Sequence, residues 1–160
     1  MDTRISDCEE ETIDFEWFSV DRNGEIAYFG AGGRGFLPFS IMRSKENLVR
    51  LVEYFSDRLN VNGATAAPPV VPEYAKFFLP DGRDKYVAFY SGMASKGLYS
   101  FDCMDDPPRR CGYVLVARPS CPLRVEELPS ALRRILEMTR FSGEFRSACE
   151  ITPTQSNDFT

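Results

Sequence analysis

Near the start of the chain, two aromatic-rich runs bracket the turn Asp21-Arg22-Asn23-Gly24. Phe15, Trp17, Phe18 and Val20 lead into it, and Ile26, Tyr28 and Phe29 lead out. Apolar runs on both sides of Asn-Gly predict a β-hairpin, because the two turn residues accept the left-handed backbone that a tight connection needs. Trp17, Phe18, Tyr28, Phe29, Tyr90 and Tyr99 are expected to be mostly core. Alternation puts Trp17 on the face of Phe15 and opposite Phe18, and the alternative is that one of these sets is partly exposed as a partner-binding patch. Gly30, Gly32, Gly33 and Gly35 then crowd into six residues around Arg34, before Phe36-Leu37-Pro38-Phe39 resumes the apolar path. So many glycines predict a bend or bulge where L side chains would be strained.

The next stretch has helical spacing. Ser44 is a good N-cap, and Leu48, Leu51, Val52, Phe55 and Leu59 follow on one stripe, with Lys45, Glu46, Arg50, Glu53 and Asp57 opposite. Asn60 to Gly63 is expected to end this helix. Residues 64–72 hold three prolines, which exclude regular helix and central strand alike. A turn is expected at Pro80-Asp81-Gly82. From Asp84, an acidic cap, to the stop at Gly97, the residues Tyr86, Phe89, Tyr90, Met93 and Ala94 have helical spacing and a helix is expected, although Tyr86 to Tyr90 also has strand propensity.

Leu98 to Asp102 and Gly112 to Arg118 read as two strands around the polar loop Cys103 to Cys111, which suggests an antiparallel pair. A helix is expected near Pro129, with Leu128, Ala131, Leu132, Ile135 and Leu136 inward. Phe145, Ser147, Cys149 and Ile151 alternate, so Phe141 to Ile151 is expected to be a last strand. Helices and strand pairs interleave without a repeating strand-helix-strand period. The expected class is α+β, an antiparallel sheet opened by an N-terminal hairpin and packed by two or three helices.

At 160 residues with 43% hydrophobic residues, the chain is expected to form one domain over 14–151, between a 1–13 acidic, partly mobile arm and a polar tail at 152–160. Residues 1–16 carry seven acids against Arg4, so this segment is −6 in a chain of net charge −5, and the remainder is +1. An acidic arm of this kind can engage a basic partner. There is no concentrated basic stripe, so no nucleic-acid partner is expected, and no apolar run approaches the ~20 residues of a membrane helix. The opening MDTRISDCEEE has neither the basic start nor the apolar core of a secretory signal, and a cytoplasmic protein is expected. Cys8, Cys103, Cys111, Cys121 and Cys149 show no C-x-x-C spacing and are expected to be free, mostly buried thiols, with no metal site.

The sequence contains no histidine. Ser-His-Asp and Cys-His catalysis are therefore excluded, and no enzyme is expected. Asp102, Asp105 and Asp106 are the closest acid cluster in the body and would serve carboxylate chemistry if any does. The Gly30 to Gly35 run with Arg34 could expose amides to an anion, but phosphate loops hand the anion to a helix N-terminus, and Phe36-Leu37-Pro38 follows here instead. Neither the dinucleotide fingerprint nor the Walker spacing occurs, and no cofactor is expected. The rim at Asp21, Gly32, Gly33 and Arg34 is the candidate surface for contact with a partner or ligand.

The segments DFEWFSVDRNGEIAYFGAGG, KGLYSFD at 96–102, YVLVARPSCPL at 113–123 and Glu127-Leu128-Pro129 resemble a group of small uncharacterised bacterial cytosolic α+β proteins, some similar to the immunity proteins of toxin systems. That resemblance implies a non-enzymatic protein-binding domain whose partner is a toxin. It assigns no residue a role. The alternative from the residues themselves is a small-molecule or anion-binding domain using the Gly30 to Gly35 loop.

Overall fold

A computed structural model describes residues 3–32, 36–59, 63–66, 80–103, 112–151 and 159–160, with backbone only for 80–85. The fold is α+β. Its strands are β1 (Glu16–Val20), β2 (Ile26–Gly30), β3 (Ala64–Ala66), β4 (Tyr99–Cys103), β5 (Tyr113–Pro119) and β6 (Glu150–Ile151). Its helices are α1 (Asp7–Thr12), α2 (Phe39–Met42), α3 (Lys45–Asp57), α4 (Pro80–Ala94) and α5 (Ser130–Leu136). The strands form one sheet in the order β1-β2-β4-β5-β3, with β6 also on β5. The hairpin and the β4/β5 pair are antiparallel as expected, but β2 and β4 run parallel, so the sheet is mixed. A parallel pair needs a crossover, which here carries α2, α3, β3 and α4.

The expected hairpin forms, with a register that runs from Glu16 opposite Gly30 to Val20 opposite Ile26. Gly24, at φ +79°, supplies the left-handed turn position. Both of its faces are core. Trp17 stacks on Phe29 at 4.0 Å, and Phe29 stacks on Phe101 at 5.0 Å, an aromatic row across three neighbouring strands. Such pairs add about 0.5–1.5 kcal/mol each beyond their area burial. Tyr113 ties the row to the chain, accepting from Trp17 Nε1 at 3.1 Å and donating to the Phe36 carbonyl at 2.6 Å. Ile5, Leu37, Ile41, Met42, Phe145 and Phe159 cover this face. On the other face Phe18, Val20, Ile26 and Tyr28 pack under Leu51 and Phe55 of α3, Tyr90 and Ala94 of α4 and Leu136 of α5. These aromatics are core as expected, and the alternative of a partly exposed set does not hold: two layers cover the sheet, and Trp17 and Phe18 are both buried.

Ser44 caps α3 by accepting from Asn47 N. Leu48, Leu51 and Phe55 are buried on it, but the helix stops at Asp57 and leaves Leu59 78% exposed. The helix expected from Asp84 exists and begins earlier: Pro80-Asp81-Gly82 is its first turn instead of a separate one, since proline is at ease in the first helical turn. Phe89 on it is exposed, not inward. In α5, Ala131 is exposed while Leu136 is buried. Phe141 to Ile151 is not a strand until Glu150. The Ala148 amide turns back to the Glu144 carbonyl, and the Phe145 amide is taken by Asp21, so the ladder groups a strand needs are already used.

The N-terminal segment carries α1, whose capping box joins Ser6 and Glu9. Ile5 has no exposed surface and its amide bonds the Met42 carbonyl at 2.8 Å, so the arm is built into the fold at that point. Most of the tail lies outside the described residues. Phe159 is buried against Trp17, Phe29 and Phe141. Of the cysteines only Cys103 is buried, while Cys8, Cys121 and Cys149 are exposed, because only Cys103 falls on a central strand. Cys111 lies outside the described residues. No described helix is long and apolar enough to cross a membrane.

Candidate functional site

The strand registers bring three residues into one row. Glu16 on β1 faces Gly30 on β2, and Gly30 faces Asp102 on β4. Neighbouring strands lie about 4.8 Å apart, so two carboxylate-bearing positions stand about 10 Å apart with a glycine between them. Strand alternation puts all three on the face of Phe18 and Tyr28, the face covered by α4. The glycine carries no side chain in that row, and the Tyr90 and Tyr28 hydroxyls come over it instead. The row borders a cavity of about 320 Å³ lined by Asp14, Glu16, Tyr28, Gly30, Gly32, Phe89, Tyr90 and Asp102.

Gly30 is there for space. Its φ is not positive, so its backbone would accept an L side chain, but a Cβ would lie 3.1 Å from the Tyr90 hydroxyl, 3.5 Å from the Tyr28 hydroxyl and 3.7 Å from Asp102 Oδ1. Three polar atoms thus converge over its Cα. Gly32 is constrained by its backbone as well, at φ +59°, and a Cβ on it would sit 2.8 Å from the Cys103 sulfur. Its amide donates to Asp14 Oδ1 at 2.7 Å, which holds Asp14 at the cavity.

The charged residues described in the lining are all acids. Tyr28 donates to Glu16 Oε1 at 2.8 Å, and Tyr86 donates to Asp102 Oδ2. Burial, followed by the negative field of Glu16, pushes the Tyr28 phenol far above its ordinary range. Burial and the Asp102 carboxylate do the same to Tyr90. Asp14 and Glu16 make no ion pair with any described residue. The walls are aromatic: Phe89 lies edge-on to Tyr28 at 6.0 Å and to Tyr90 at 5.2 Å, and is 52% exposed at the mouth. No group of three His, Cys, Asp or Glu among the described residues could hold a metal ion.

Of the four residues expected to form a contact rim, the two that the structure describes, Asp21 and Gly32, stand apart. Asp21 is fully buried at the opposite end of the hairpin. Its Oδ1 accepts the Asn23 amide at 2.9 Å and the Glu25 amide at 3.0 Å, and its Oδ2 accepts the Phe145 amide at 2.9 Å. It organises the turn and presents nothing to a partner. Gly32 is exposed and lines the cavity. Gly33 and Arg34 lie outside the described residues. In the described part of the glycine run the surroundings are acidic, and the Gly32 amide that an anion would want is taken by Asp14. Asp102 of the acid cluster belongs to the cavity, while Asp105 and Asp106 lie outside the described residues.

Sequence reasoning missed Asp14, Glu16, Tyr28, Phe89 and Tyr90 as neighbours. Half of the row lies on the hairpin, but Asn23-Gly24 as a two-residue turn would put Glu16 opposite Ala31; the observed loop is Arg22-Asn23-Gly24, closed by Asp21 and Glu25, and it puts Glu16 opposite Gly30. The other half depends on the β2/β4 pairing. No family model, curated protein or solved structure matches the chain.

Proposed function

We propose that the chain is a non-enzymatic cytoplasmic domain that binds a basic protein partner through the mouth of the Gly30 cavity, in the manner of a bacterial immunity protein holding its toxin. The observation that carries this reading is a carboxylate-lined cavity opening beside Phe89, an aromatic ring 52% exposed. Aromatic side chains at the edge of a concave, charged site are the usual anchors of recognition. Ile13, next to Asp14, adds a second apolar side chain that is 43% exposed. The −6 charge of residues 1–16 gives a basic partner a favourable approach. The non-enzymatic part rests on chemistry: the sequence holds no histidine, and the Tyr28 phenol in the cavity has its proton committed to the Glu16 carboxylate.

The test is to mix the purified protein with the purified products of the genes flanking its own. A complex on size exclusion that weakens with added salt and is lost in Phe89→Asp supports the reading. No complex with any of them, or one indifferent to Phe89→Asp, rejects it. A second reading, a pocket for a free small molecule, is favoured by the cavity volume, which falls at the lower end of small-ligand sites, roughly 300–1,000 Å³. The acidic lining makes such a ligand cationic, not anionic.

A further inference from the structure

We infer that the group received in the cavity beside Gly30 is an alkyl guanidinium, supplied by an arginine side chain of the partner. This deepens the binding reading above and rests on it for the source of the guanidinium. The sign of the charge comes from Asp14, Glu16 and Asp102, which line one cavity. Asp14 and Glu16 have no cationic partner among the described residues, so the space between them is where an incoming positive charge gains most.

The shape selects among cations. A metal ion needs several oxygens within about 2.0–2.6 Å of one point. Glu16 and Asp102 stand instead on either side of Gly30, with the Tyr28 and Tyr90 hydroxyls over it, and no described acid group converges enough to hold a metal. A lysine ammonium is a compact point charge. A guanidinium is planar and carries donors on more than one edge, so it can meet more than one of the carboxylates that line the cavity. The walls agree with a flat cation: Tyr28, Phe89 and Tyr90 line the cavity, and guanidinium groups stack on aromatic faces more readily than ammonium groups do. The exposed ring of Phe89 at the mouth is placed to cover the aliphatic stem, which a free guanidinium ion lacks.

The decisive experiment is a calorimetric titration of the purified full chain with four probes. These are agmatine, capped Gly-Arg-Gly, capped Gly-Lys-Gly and cadaverine. Saturable one-to-one binding of both guanidinium probes, at least tenfold tighter than the matching amines, is expected. Asp14→Asn and Glu16→Gln should each weaken it about tenfold, and Gly30→Val should abolish it with the circular dichroism spectrum unchanged. Gly30→Ala serves if the valine variant does not fold, and should still weaken binding severalfold. Equal affinity for the amines, no binding of either guanidinium probe, or binding untouched by the folded Gly30 variant overturns the inference. Tighter binding of agmatine than of the arginine peptide keeps the guanidinium site but overturns the protein source. A flanking-gene partner that binds through Phe89 while the guanidinium probes do not would leave the binding reading standing and remove this inference alone.

Discussion

The two ends of the N-terminal hairpin use the same residue types to opposite ends. At the turn, Asp21 and Glu25 are almost wholly buried and fully engaged: Asp21 by three backbone amides, Glu25 by the Tyr99 hydroxyl at 3.0 Å and the Arg146 guanidinium. At the open end, Glu16 is half-buried, Asp14 is exposed, and the position between Glu16 and Asp102 is a glycine with no side chain to fill the space. Carboxylate and tyrosine pairs occur at both. What separates a structural site from a receptive one is whether a cation of the protein's own completes it. Arg146 completes the turn end, and no described cation pairs with Asp14 or Glu16 at the other.

That contrast is broken most forcefully at the turn. Asp21→Ala leaves three buried amides without their charged acceptor and should cost about 3 kcal/mol or more of stability, seen as a lower midpoint in urea denaturation. Asp14→Asn at the open end should change stability by less than about 0.5 kcal/mol, because its carboxylate is exposed. Equal losses at the two positions would dissolve the distinction. Gly30→Val falls between them: the added carbons meet the Tyr90 hydroxyl and should cost about 1–2 kcal/mol while closing the cavity.

The tyrosines sharpen the comparison through pH. Tyr99 at the turn is pushed up to about 12 by burial and the Glu25 carboxylate, and burial with Glu16 and Asp102 raises Tyr28 and Tyr90 still more. A phenol raised in the fold is one whose neutral form the fold prefers. Stability is therefore full below the ordinary value of 10 and falls as pH climbs through it. A spectrophotometric titration should show a late-ionising group of tyrosines that appears only as the protein unfolds. In Glu16→Gln, Tyr28 should ionise earlier. The smallest effect concerns Glu9 on α1, which Lys45 and the Ser6 cap hold down from 4.5 to about 2. A depressed carboxylate stabilises above its unfolded value, so this tie is intact above pH 4.5 and is lost as pH falls towards 2. Being on the surface it is weakened by salt, and acid melting curves of the protein and of Glu9→Gln should converge in that range.

Much of the hairpin was legible because its signals are local. Asn-Gly announces the turn, but the register that puts Glu16 opposite Gly30 comes from a three-residue loop that closes on Asp21 and Glu25 and is held by the Asp21 carboxylate. The rest of the site was not, because Asp102 joins the row only through the parallel pairing of β2 and β4, which no local signal announces. The spacing of Tyr86, Phe89, Tyr90, Met93 and Ala94 was right about the helix but did not tell which of them met the sheet, and Phe89 is exposed. Asp21 carried the opposite error. As a turn residue it looked like rim, yet the segment around Phe145 folds over the turn and buries it. The alternation of Phe145, Ser147, Cys149 and Ile151 gave no hint of this, since the deciding bond comes from a residue far away in the chain.

An amide-resolved NMR titration of the full chain with agmatine tests the contrast between the two ends most directly. Saturable shifts should appear at Glu16, Gly30, Gly32, Phe89 and Tyr90, while the amides of Asn23, Glu25 and Phe145 stay where they are. Shifts at the turn end, shifts scattered over the surface, or none at all would contradict the claim that the hairpin is closed by its own cation at one end and open to a foreign one at the other.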